Sequence, residues 1–206
     1  MGRSAASAEQ LVEQLRPYIG DERVLAAIAA VPRDLFVPAK LGDLAWENTA
    51  LPIGSGQTIS QPIVVARMCE LLALHGDEKV LDVGTGSGYH AAVLARLARE
   101  VWSIERKEAL TRQAERNLAA AGIENVRLVV GDGSRGYPEE APYDGINVAA
   151  AAHEVPAALE QQLGPDGRLV APINGMEQRL MLARRRGDTI ERTLLEPVRF
   201  VPLVGE

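Results

Sequence analysis

The chain has 206 residues, of which 47% are apolar, and its formal net charge at pH 7 is −6. This length is typical of one domain, and the apolar fraction is sufficient for a substantial core. The basic residues are scattered apart from the run Arg184-Arg185-Arg186, which we interpret as a solvated strand end or turn. A nucleic-acid-binding surface needs clustered positive charge. We therefore expect a single domain over residues 1–206 that binds no nucleic acid.

Cysteine content and hydropathy restrict the chemistry and location of the protein. Cys69 is the only cysteine, so no intramolecular disulfide can form, and its apolar neighbours predict a buried thiol on a helix face. No cysteine and histidine spacing typical of a metal site occurs. The N-terminus lacks the apolar core of a signal peptide, and no apolar run approaches the ~20 residues that span a bilayer. We expect a cytoplasmic protein without metal or membrane contact.

The first part of the chain has the pattern of a helical extension. Apolar positions at helical spacing predict helices over residues 8–16 and 21–31. An irregular connection follows, and a third helix is predicted over 61–74, with Pro62 in its first turn, where proline is tolerated. Ser60 directly precedes this helix and could be its N-cap.

Strands and helices alternate from Lys79 onward. Short apolar strands with amphipathic helices between them predict a parallel sheet with helices on both faces. The last segments, RLMLARRR, TIERTLLE and VRFVPLV, have no helix between them and predict antiparallel strands at one edge of the sheet. The expected fold class is α/β, with a doubly wound, mostly parallel, Rossmann-like core over 61–206. An N-terminal helical and substrate-loop extension over 1–60 precedes it.

Three glycines, Gly84, Gly86 and Gly88, lie at the first strand-to-helix turn of this core. Without side chains there, backbone N–H groups can approach a ligand at the helix N-terminus. The loop alone does not select a cofactor, because with Ala91 it also satisfies the relaxed dinucleotide pattern G-x-G-x-x-A. Close packing of helix and strand could also explain the glycines.

Acidic residues near the ends of three successive strands favour one cofactor over the other. The Asp82 carboxylate would face a pyrophosphate unfavourably but suits an ammonium group. Glu105 can accept hydrogen bonds from both ribose hydroxyls, and Asp132 can meet the adenine edge. S-adenosylmethionine has no phosphate and carries both an ammonium and a sulfonium group. The pattern therefore favours S-adenosylmethionine over NAD.

Several segments, in this order, resemble the protein-L-isoaspartate O-methyltransferases from about Val31 to Val204. They are VPRDLFVP, ALPIGSGQTISQP, VLDVGTGSGY, VVGDG, EEAPYDGINV and VRFVPLV. Many methyltransferases share the glycine loop, whereas GQTISQP, VPRDLFVP and FVPLV are more specific. The resemblance implies a class I S-adenosylmethionine-dependent methyltransferase fold. It also implies methyl transfer to the α-carboxylate of L-isoaspartyl residues in damaged proteins and peptides, which begins repair through a succinimide.

The same resemblance implies the site residues and the partners. Ser60 is the expected active-site residue, and the substrates are isoaspartyl-containing proteins and peptides, bound by a monomer. Asp34 and His153 stand where family members usually carry histidine and proline. His153 lies near the expected substrate rim, and we interpret it as a surface residue at a helix start and not as a base. The candidate cofactor-binding residues are Gln57, Thr58, Ile59, Ser60, Asp82, Gly84, Thr85, Gly86, Gly88, Glu105, Arg106, Asp132 and Gly133.

Two alternatives stay open at this point. One is a related carboxyl O-methyltransferase that acts on another peptide carboxylate. The other is a non-catalytic S-adenosylmethionine-binding module. A substrate carboxylate is already ionised at neutral pH, so methyl transfer to it needs orientation and water exclusion more than a strong base. This agrees with a sequence that shows no nucleophile and base couple.

Overall fold

The computed structural model describes residues 7–205, which form six α-helices and nine β-strands. The helices are α1 (Ala8–Leu15), α2 (Glu22–Ala30), α3 (Pro62–Leu72), α4 (Tyr89–Ala95), α5 (Glu108–Ala120) and α6 (Ala157–Gln161). The strands are β1 (Leu51–Gly54), β2 (Gln57–Ile59), β3 (Lys79–Val83), β4 (Glu100–Glu105), β5 (Val126–Val130), β6 (Tyr143–Val148), β7 (Leu163–Ile173), β8 (Arg179–Arg186) and β9 (Thr189–Pro197).

Seven strands form one sheet in the order β5-β4-β3-β6-β7-β8-β9. The five strands from β5 to β7 in this order are parallel, whereas β8 is antiparallel to β7 and β9 is antiparallel to β8. The chain proceeds from β3 outward to β5 and then returns to the other side of β3 with β6. The order of the strands therefore reverses between β3 and β6, where open α/β sheets bind their ligands. The predicted α/β fold with an antiparallel edge is confirmed.

Apolar side chains cover both faces of this sheet. Along β3, Val80 belongs to a cluster with residues of α1 to α5, while Leu81 and Val83 belong to a second cluster that includes Leu159 of α6. Successive residues of a strand point to opposite faces. The nearly continuous apolar sequence of β3 is explained by burial on both sides.

The two N-terminal helices agree with the sequence prediction. Ser7 and Gln10 form a capping box at the start of α1. Asp21 is the N-cap of α2, and its side chain accepts a hydrogen bond from the N–H of Arg23 at 2.8 Å. The apolar faces of both helices join the same cluster as α3 and α4. The extension therefore packs directly against the element that follows Ser60.

Helix α3 shows that the N-cap interpretation of Ser60 is wrong. The N-cap is Gln61, which makes no side-chain capping bond, and the helix ends two residues before the predicted Leu74. The N–H of Ile63 donates instead to Asn48 Oδ1 at 3.1 Å, and Gln61 Nε2 donates to the Asn48 carbonyl at 2.8 Å. Because the capping group comes from a residue distant in sequence, local reading could not find it.

The segment VRFVPLV is not the edge strand that the sequence predicted. Strand β9 ends at Pro197, and beyond it Pro202 forms only an isolated bridge with Ala151. The N–H of Ala151 donates to the Val201 carbonyl at 2.8 Å, and the N–H of Leu203 donates to the Ala151 carbonyl at 2.7 Å. This terminal segment, residues 198–204, therefore crosses the chain after β6 instead of extending the sheet edge.

The connection predicted to be irregular contains a small hairpin. Strands β1 and β2 pair antiparallel, with Leu51 opposite Ile59 and Pro52 opposite Thr58. Ser55 and the glycines beside it form the tip with positive φ angles, Ser55 at 53°. The hairpin stands apart from the seven-stranded sheet. The sequence GSGQTIS is thus partly regular structure.

Candidate active site

A cavity of about 400 Å³ lies at the carboxyl ends of β3 and β4. Four segments line most of it: the glycine loop 84–87, the end of β4 with its following turn at 104–107, residues 57–60, and residues 201–204 of the terminal segment. This volume is within the ~300–1,000 Å³ usual for small-molecule sites. The cavity therefore lies where the strand order reverses, with the hairpin and the terminal segment on its other sides.

The glycine loop adopts a backbone that other residues would enter at a cost. Gly84, Gly86 and Gly88 have φ angles of 98°, 54° and 90°, in the region that L-residues avoid. A Cβ atom at Gly86 would lie 3.3 Å from Ile53 Cδ1 of the hairpin. The loop is thus shaped by its glycines, and the hairpin packs directly on it.

Glu105 provides a fixed carboxylate in the cavity wall. Its side chain is buried, with Oε2 accepting the N–H of Gly86 at 3.1 Å and Oε1 accepting the N–H of Lys107 at 3.0 Å. Each carboxylate oxygen has a second lone pair. Glu105 can therefore accept two further hydrogen bonds from a ligand without losing the bonds that orient it.

Asp82 is placed differently from the sequence expectation. It is fully buried and does not line the cavity; Oδ2 accepts from Ser103 Oγ and Oδ1 from Asn147 Nδ2, both at 2.7 Å. Burial raises the pKa of Asp82 to about 6, while the two hydrogen bonds act in the opposite direction. The Ser103 hydroxyl also lies 2.7 Å from Thr85 Oγ1. Asp82 is therefore not placed for the direct contact with an ammonium group that we expected. It supports the glycine loop through Ser103 and Thr85.

His90 is a lining residue that the sequence reading did not identify. Asn147 Nδ2 donates to Asp82 and lies 3.2 Å from His90 Nδ1. An amide nitrogen only donates, so Nδ1 accepts and the ring proton of neutral His90 is on Nε2, 3.6 Å from Cys69 Sγ. Burial lowers the pKa of His90 to about 3. A polar residue in the otherwise apolar helix YHAAVLA was the only available signal.

Cys69 is buried, as predicted. Burial raises the pKa of its thiol, with a smaller contribution in the same direction from Asp82. A thiol held protonated is a poor nucleophile. Cys69 therefore serves as a small apolar wall residue behind His90.

Ser60 lines the cavity between the hairpin and α3. Its carbonyl accepts a hydrogen bond from Arg33 Nη2 at 3.0 Å. Within residues 7–205, its hydroxyl makes no hydrogen bond with another protein group. The hydroxyl is thus available to a ligand in the cavity.

The structure brings most of the predicted site residues into one lining and leaves three outside it. Gly88 starts α4 and packs against Ala114, and Asp132 caps the turn Gly133–Arg135 while accepting from the N–H of Ser134 at 2.9 Å. Asp82 is the third residue outside the lining. The predicted residues that line the cavity are Gln57, Thr58, Ile59, Ser60, Gly84, Thr85, Gly86, Glu105, Arg106 and Gly133.

Sequence reading missed a second group of lining residues. They come from helix starts, strand ends and the terminal segment, and carry no motif that marks them individually. They are Val65, Val83, Ser87, Tyr89, His90, Ile104, Lys107, Ala149, Ala150, Val201, Pro202, Leu203 and Val204. The resemblance at FVPLV was the one signal for the last four, although the strand prediction assigned them another place.

Asp34 and His153, the two departures from the family pattern, are exposed and lie outside the lining. Within residues 7–205 no group of three or more His, Cys, Asp or Glu residues could hold a metal ion. The same part of the chain contains no helix with the length and apolar character to cross a membrane.

Sheet order, glycine loop and cavity position together define a class I methyltransferase fold. Comparison with known proteins gives the family within that class. The model of the protein-L-isoaspartate(D-aspartate) O-methyltransferase family (PCMT) matches residues 6–206. The chain belongs to this family.

Relatives and solved structures agree with that membership. A protein-L-isoaspartate O-methyltransferase of Halorhodospira halophila is 54% identical over 204 residues, covering 98% of this chain and 93% of the relative. One of Methanoculleus marisnigri is 52% identical over 201 residues, covering 96% and 91%.

Two solved structures named for the same activity are similar over 96% of this chain. One has a TM-score of 0.87 at 31% identity, and the match spans 66% of that longer chain. The other, from Plasmodium falciparum in complex with S-adenosyl-L-homocysteine, has a TM-score of 0.83 at 26% identity and is covered over 98%. The predicted fold and family resemblance are confirmed.

Proposed function

We propose that this chain transfers a methyl group from S-adenosylmethionine to the α-carboxylate of L-isoaspartyl residues in damaged proteins and peptides. Family membership supports the reaction class. The observation that carries the proposal is the Ser60 hydroxyl, which has no hydrogen-bond partner within residues 7–205 and lies in the same cavity as Glu105 and the glycine loop. One cavity thus holds groups suited to a cofactor and a donor suited to a carboxylate.

The cofactor side of the cavity fits S-adenosylmethionine. The Glu105 carboxylate can accept from ribose hydroxyls, and residues 84–87 of the glycine loop line the cavity beside it. Arg106 and Gly133 complete this side in the proposal, and Thr58 of the hairpin borders it. When bound, the cofactor supplies an electrophilic methyl group on a sulfonium. Asp82 acts on this side only through Ser103 and Thr85, which brace the loop.

The residues on the substrate side orient a carboxylate that needs no activation. A carboxylate with its ordinary pKa near ~4 is ionised at neutral pH. The Ser60 hydroxyl donates to one carboxylate oxygen and leaves the other for the reaction. His90 is not the base of this reaction, because its Nδ1 accepts from Asn147 and its pKa is lowered to about 3.

Water exclusion is assigned to the hairpin and the terminal segment. Lys107 Nζ donates to the Ser55 carbonyl at the hairpin tip at 2.6 Å, and Arg106 Nη1 donates to the Val204 carbonyl at 3.2 Å. Arg106 and Lys107, which follow β4, thus bind the terminal segment and the hairpin that cover the cavity. A closed, water-poor site favours reaction of a desolvated carboxylate and can contribute several kcal/mol through orientation.

The methyl ester explains how methylation leads to repair. Methanol is a better leaving group than the oxygen of a carboxylate, so the neighbouring backbone nitrogen attacks the ester carbonyl, methanol departs and a succinimide forms. Hydrolysis of the succinimide returns a share of normal aspartate. These last steps need no residue of this chain.

The deciding experiment is methyl transfer from labelled S-adenosylmethionine to matched peptides that contain isoaspartate or aspartate at one position. We expect labelling of the isoaspartyl peptide and almost none of its isomer. Equal labelling of both would contradict the repair activity. Preference for the aspartyl isomer would instead indicate a carboxyl methyltransferase of other specificity. Cofactor binding without any methyl transfer would indicate a non-catalytic module.

We also propose that the protein acts as a cytoplasmic monomer and without nucleic acid. The net charge of −6, with basic residues scattered apart from one run of three arginines, supports the absence of nucleic acid. Light scattering after size-exclusion chromatography should give a mass near 22.1 kDa. A mass of twice that value at micromolar concentration would contradict the monomer.

A further inference from the structure

Arg33 is a fully buried arginine behind the Ser60 wall of the cavity. Its Nη1 donates to the Ala45 carbonyl, and its Nη2 donates to the carbonyls of Thr49 and Ser60, both at 3.0 Å. The guanidinium carbon lies 5.4 Å from the ring centroid of Tyr89, another lining residue. One side chain thus joins the turn before the hairpin, Ser60 between the hairpin and α3, and the start of α4.

The charge of Arg33 has no counterion in the described part of the chain. All its hydrogen-bond acceptors are carbonyls, its Nε has no partner among residues 7–205, and burial lowers its pKa. Burying a cation without a counterion carries a desolvation penalty, against which Arg33 gains its hydrogen bonds to three carbonyls and its contact with the Tyr89 ring. Beyond these bonds, the buried charge places a positive potential beside the cavity wall.

The position of this charge matches the substrate that the cavity should receive. Arg33 does not line the cavity, but two of its neighbours, Ser60 and Tyr89, do. A cation in a low-dielectric wall attracts an anion that enters the adjacent space. The bond to the Ser60 carbonyl also fixes the backbone that carries the Ser60 hydroxyl. Both effects act on the substrate side of the cavity.

We propose that Arg33 is a positioning residue for the substrate carboxylate, which it serves by fixing the Ser60 backbone and by placing a positive charge behind the cavity wall. The proposal rests on the proposed function, in which Ser60 faces a carboxylate. Arg33 itself touches neither substrate nor cofactor. Its loss should therefore weaken peptide use and leave the cofactor side intact.

The test compares Arg33→Met, which removes the charge at similar volume, with Arg33→Lys, which keeps the charge but loses the forked geometry. Arg168→Met is the matched control, because Arg168 is a partly buried arginine that donates to the Leu71 carbonyl at 3.3 Å and does not line the cavity. For each protein, S-adenosylhomocysteine affinity is measured by calorimetry and methyl transfer to the isoaspartyl peptide by initial rates.

We expect Arg33→Met to raise the peptide KM at least tenfold while the Kd for S-adenosylhomocysteine changes less than twofold. Arg33→Lys should give an intermediate KM, and Arg168→Met a KM equal to that of the unmodified protein. A wild-type peptide KM in Arg33→Met would overturn the proposal, as would a cofactor Kd that rises in step with the KM. If Arg33→Met does not fold, a wild-type KM in folded Arg33→Lys overturns it. An unmodified protein without isoaspartyl methylation would instead refute the proposed function.

Discussion

The two sides of the cavity are built from different parts of the chain. The cofactor side consists of β3, β4 and the glycine loop, which are close in sequence and held by the ladder of the central sheet. The proposed substrate side combines the hairpin and Ser60, which belong to the N-terminal extension, with the terminal segment that follows the last strand of the core. Local sequence therefore defines the first side, whereas only tertiary packing defines the second.

The two sides also differ in buried charge. The cofactor side contains the buried carboxylates of Asp82 and Glu105, and the substrate side is backed by the buried guanidinium of Arg33. A cofactor with ammonium and sulfonium groups suits the first, and a substrate carboxylate suits the second. The two sides of the cavity therefore have opposite buried charges, negative on the cofactor side and positive on the substrate side. Mutations on the two sides should affect cofactor binding and substrate use separately.

The largest expected effect is at Ser60. Ser60→Asp should lower kcat/KM for the isoaspartyl peptide at least a hundredfold, about 2.7 kcal/mol, because a second carboxylate repels the substrate. Ser60→Ala should lower it at least tenfold, about 1.4 kcal/mol. Since Gln61 and not Ser60 is the N-cap of α3, the free energy of unfolding should change by less than about 0.5 kcal/mol.

The Ser60 variants also test the division of the cavity. Calorimetry with S-adenosylhomocysteine should give a Kd within twofold of the unmodified protein for both of them. Near-normal turnover in both variants would remove Ser60 from the mechanism. A large loss of cofactor affinity in Ser60→Ala would show that the two sides are not separate.

The corresponding test of the cofactor side is Glu105→Ala. It should weaken S-adenosylhomocysteine binding tenfold to a hundredfold, about 1.4 to 2.7 kcal/mol, because ligand hydrogen bonds to a charged group are lost and the bonds to Gly86 and Lys107 no longer orient the turn. Glu108→Ala, in the exposed first turn of α5, is the control. An unchanged Kd in Glu105→Ala would contradict the assignment of the cofactor side.

A smaller effect should appear in the pH dependence of stability through His90. Its pKa is lowered from about 6.5 to about 3 by burial, so the stability it contributes is present above pH 6.5 and is lost as pH falls from 6.5 towards 3. Between pH 7 and pH 5 the unmodified protein should lose about 2 kcal/mol relative to His90→Gln. Urea unfolding of both proteins at the two pH values measures this difference.

Asp82 acts in the opposite direction and must be separated from His90. With its pKa raised to about 6 from 3.8, the stability it contributes is present below pH 3.8 and is lost as pH rises through 6. Because Asp82 is present in both proteins, its contribution cancels in the difference to first order. Parallel pH profiles for the unmodified protein and His90→Gln would contradict a buried neutral His90.

The same contrast explains what the sequence could predict. The strands β3 to β7, their helices and Glu105 follow from apolar periodicity and from the rule that parallel strands bind ligands at their carboxyl ends. Strands β8 and β9 at the antiparallel edge were also found. All of these depend on patterns within a few dozen residues.

The errors fall on contacts between distant segments. Serine is a residue type favoured at N-caps, but the N–H of Ile63 in the first turn of α3 donates to Asn48 and not to Ser60. VRFVPLV follows two strands without a helix and was predicted as a further strand, yet its backbone bonds with Ala151 place it beside the cavity. Asp82 stands at a ligand-binding strand end, but Asn147 and Ser103 hold its carboxylate in the sheet. In each case a hydrogen-bond partner invisible to local sequence decided the outcome.

The smallest predicted effect concerns Lys107, which lies on the cofactor side and binds the hairpin of the substrate side. Its Nζ donates to the Ser55 carbonyl at 2.6 Å, so Lys107→Met frees the hairpin tip from β4. Because this bond is solvent-exposed, it should contribute only about 0.5 to 1 kcal/mol to holding the hairpin over the cavity. We expect S-adenosylhomocysteine to dissociate about twofold to fivefold faster, with a melting temperature lowered by no more than about 4 °C.

Stopped-flow displacement of S-adenosylhomocysteine by excess S-adenosylmethionine measures the dissociation rate, with Lys40→Met, an exposed lysine outside the cavity, as the control. A faster rate in Lys107→Met alone means that the hairpin covers the cofactor as well as the substrate, so the two sides share one cover. An unchanged rate would confine the hairpin to the substrate side. In that case Ile53, which packs on the glycine loop at Gly86, would hold the hairpin without the lysine.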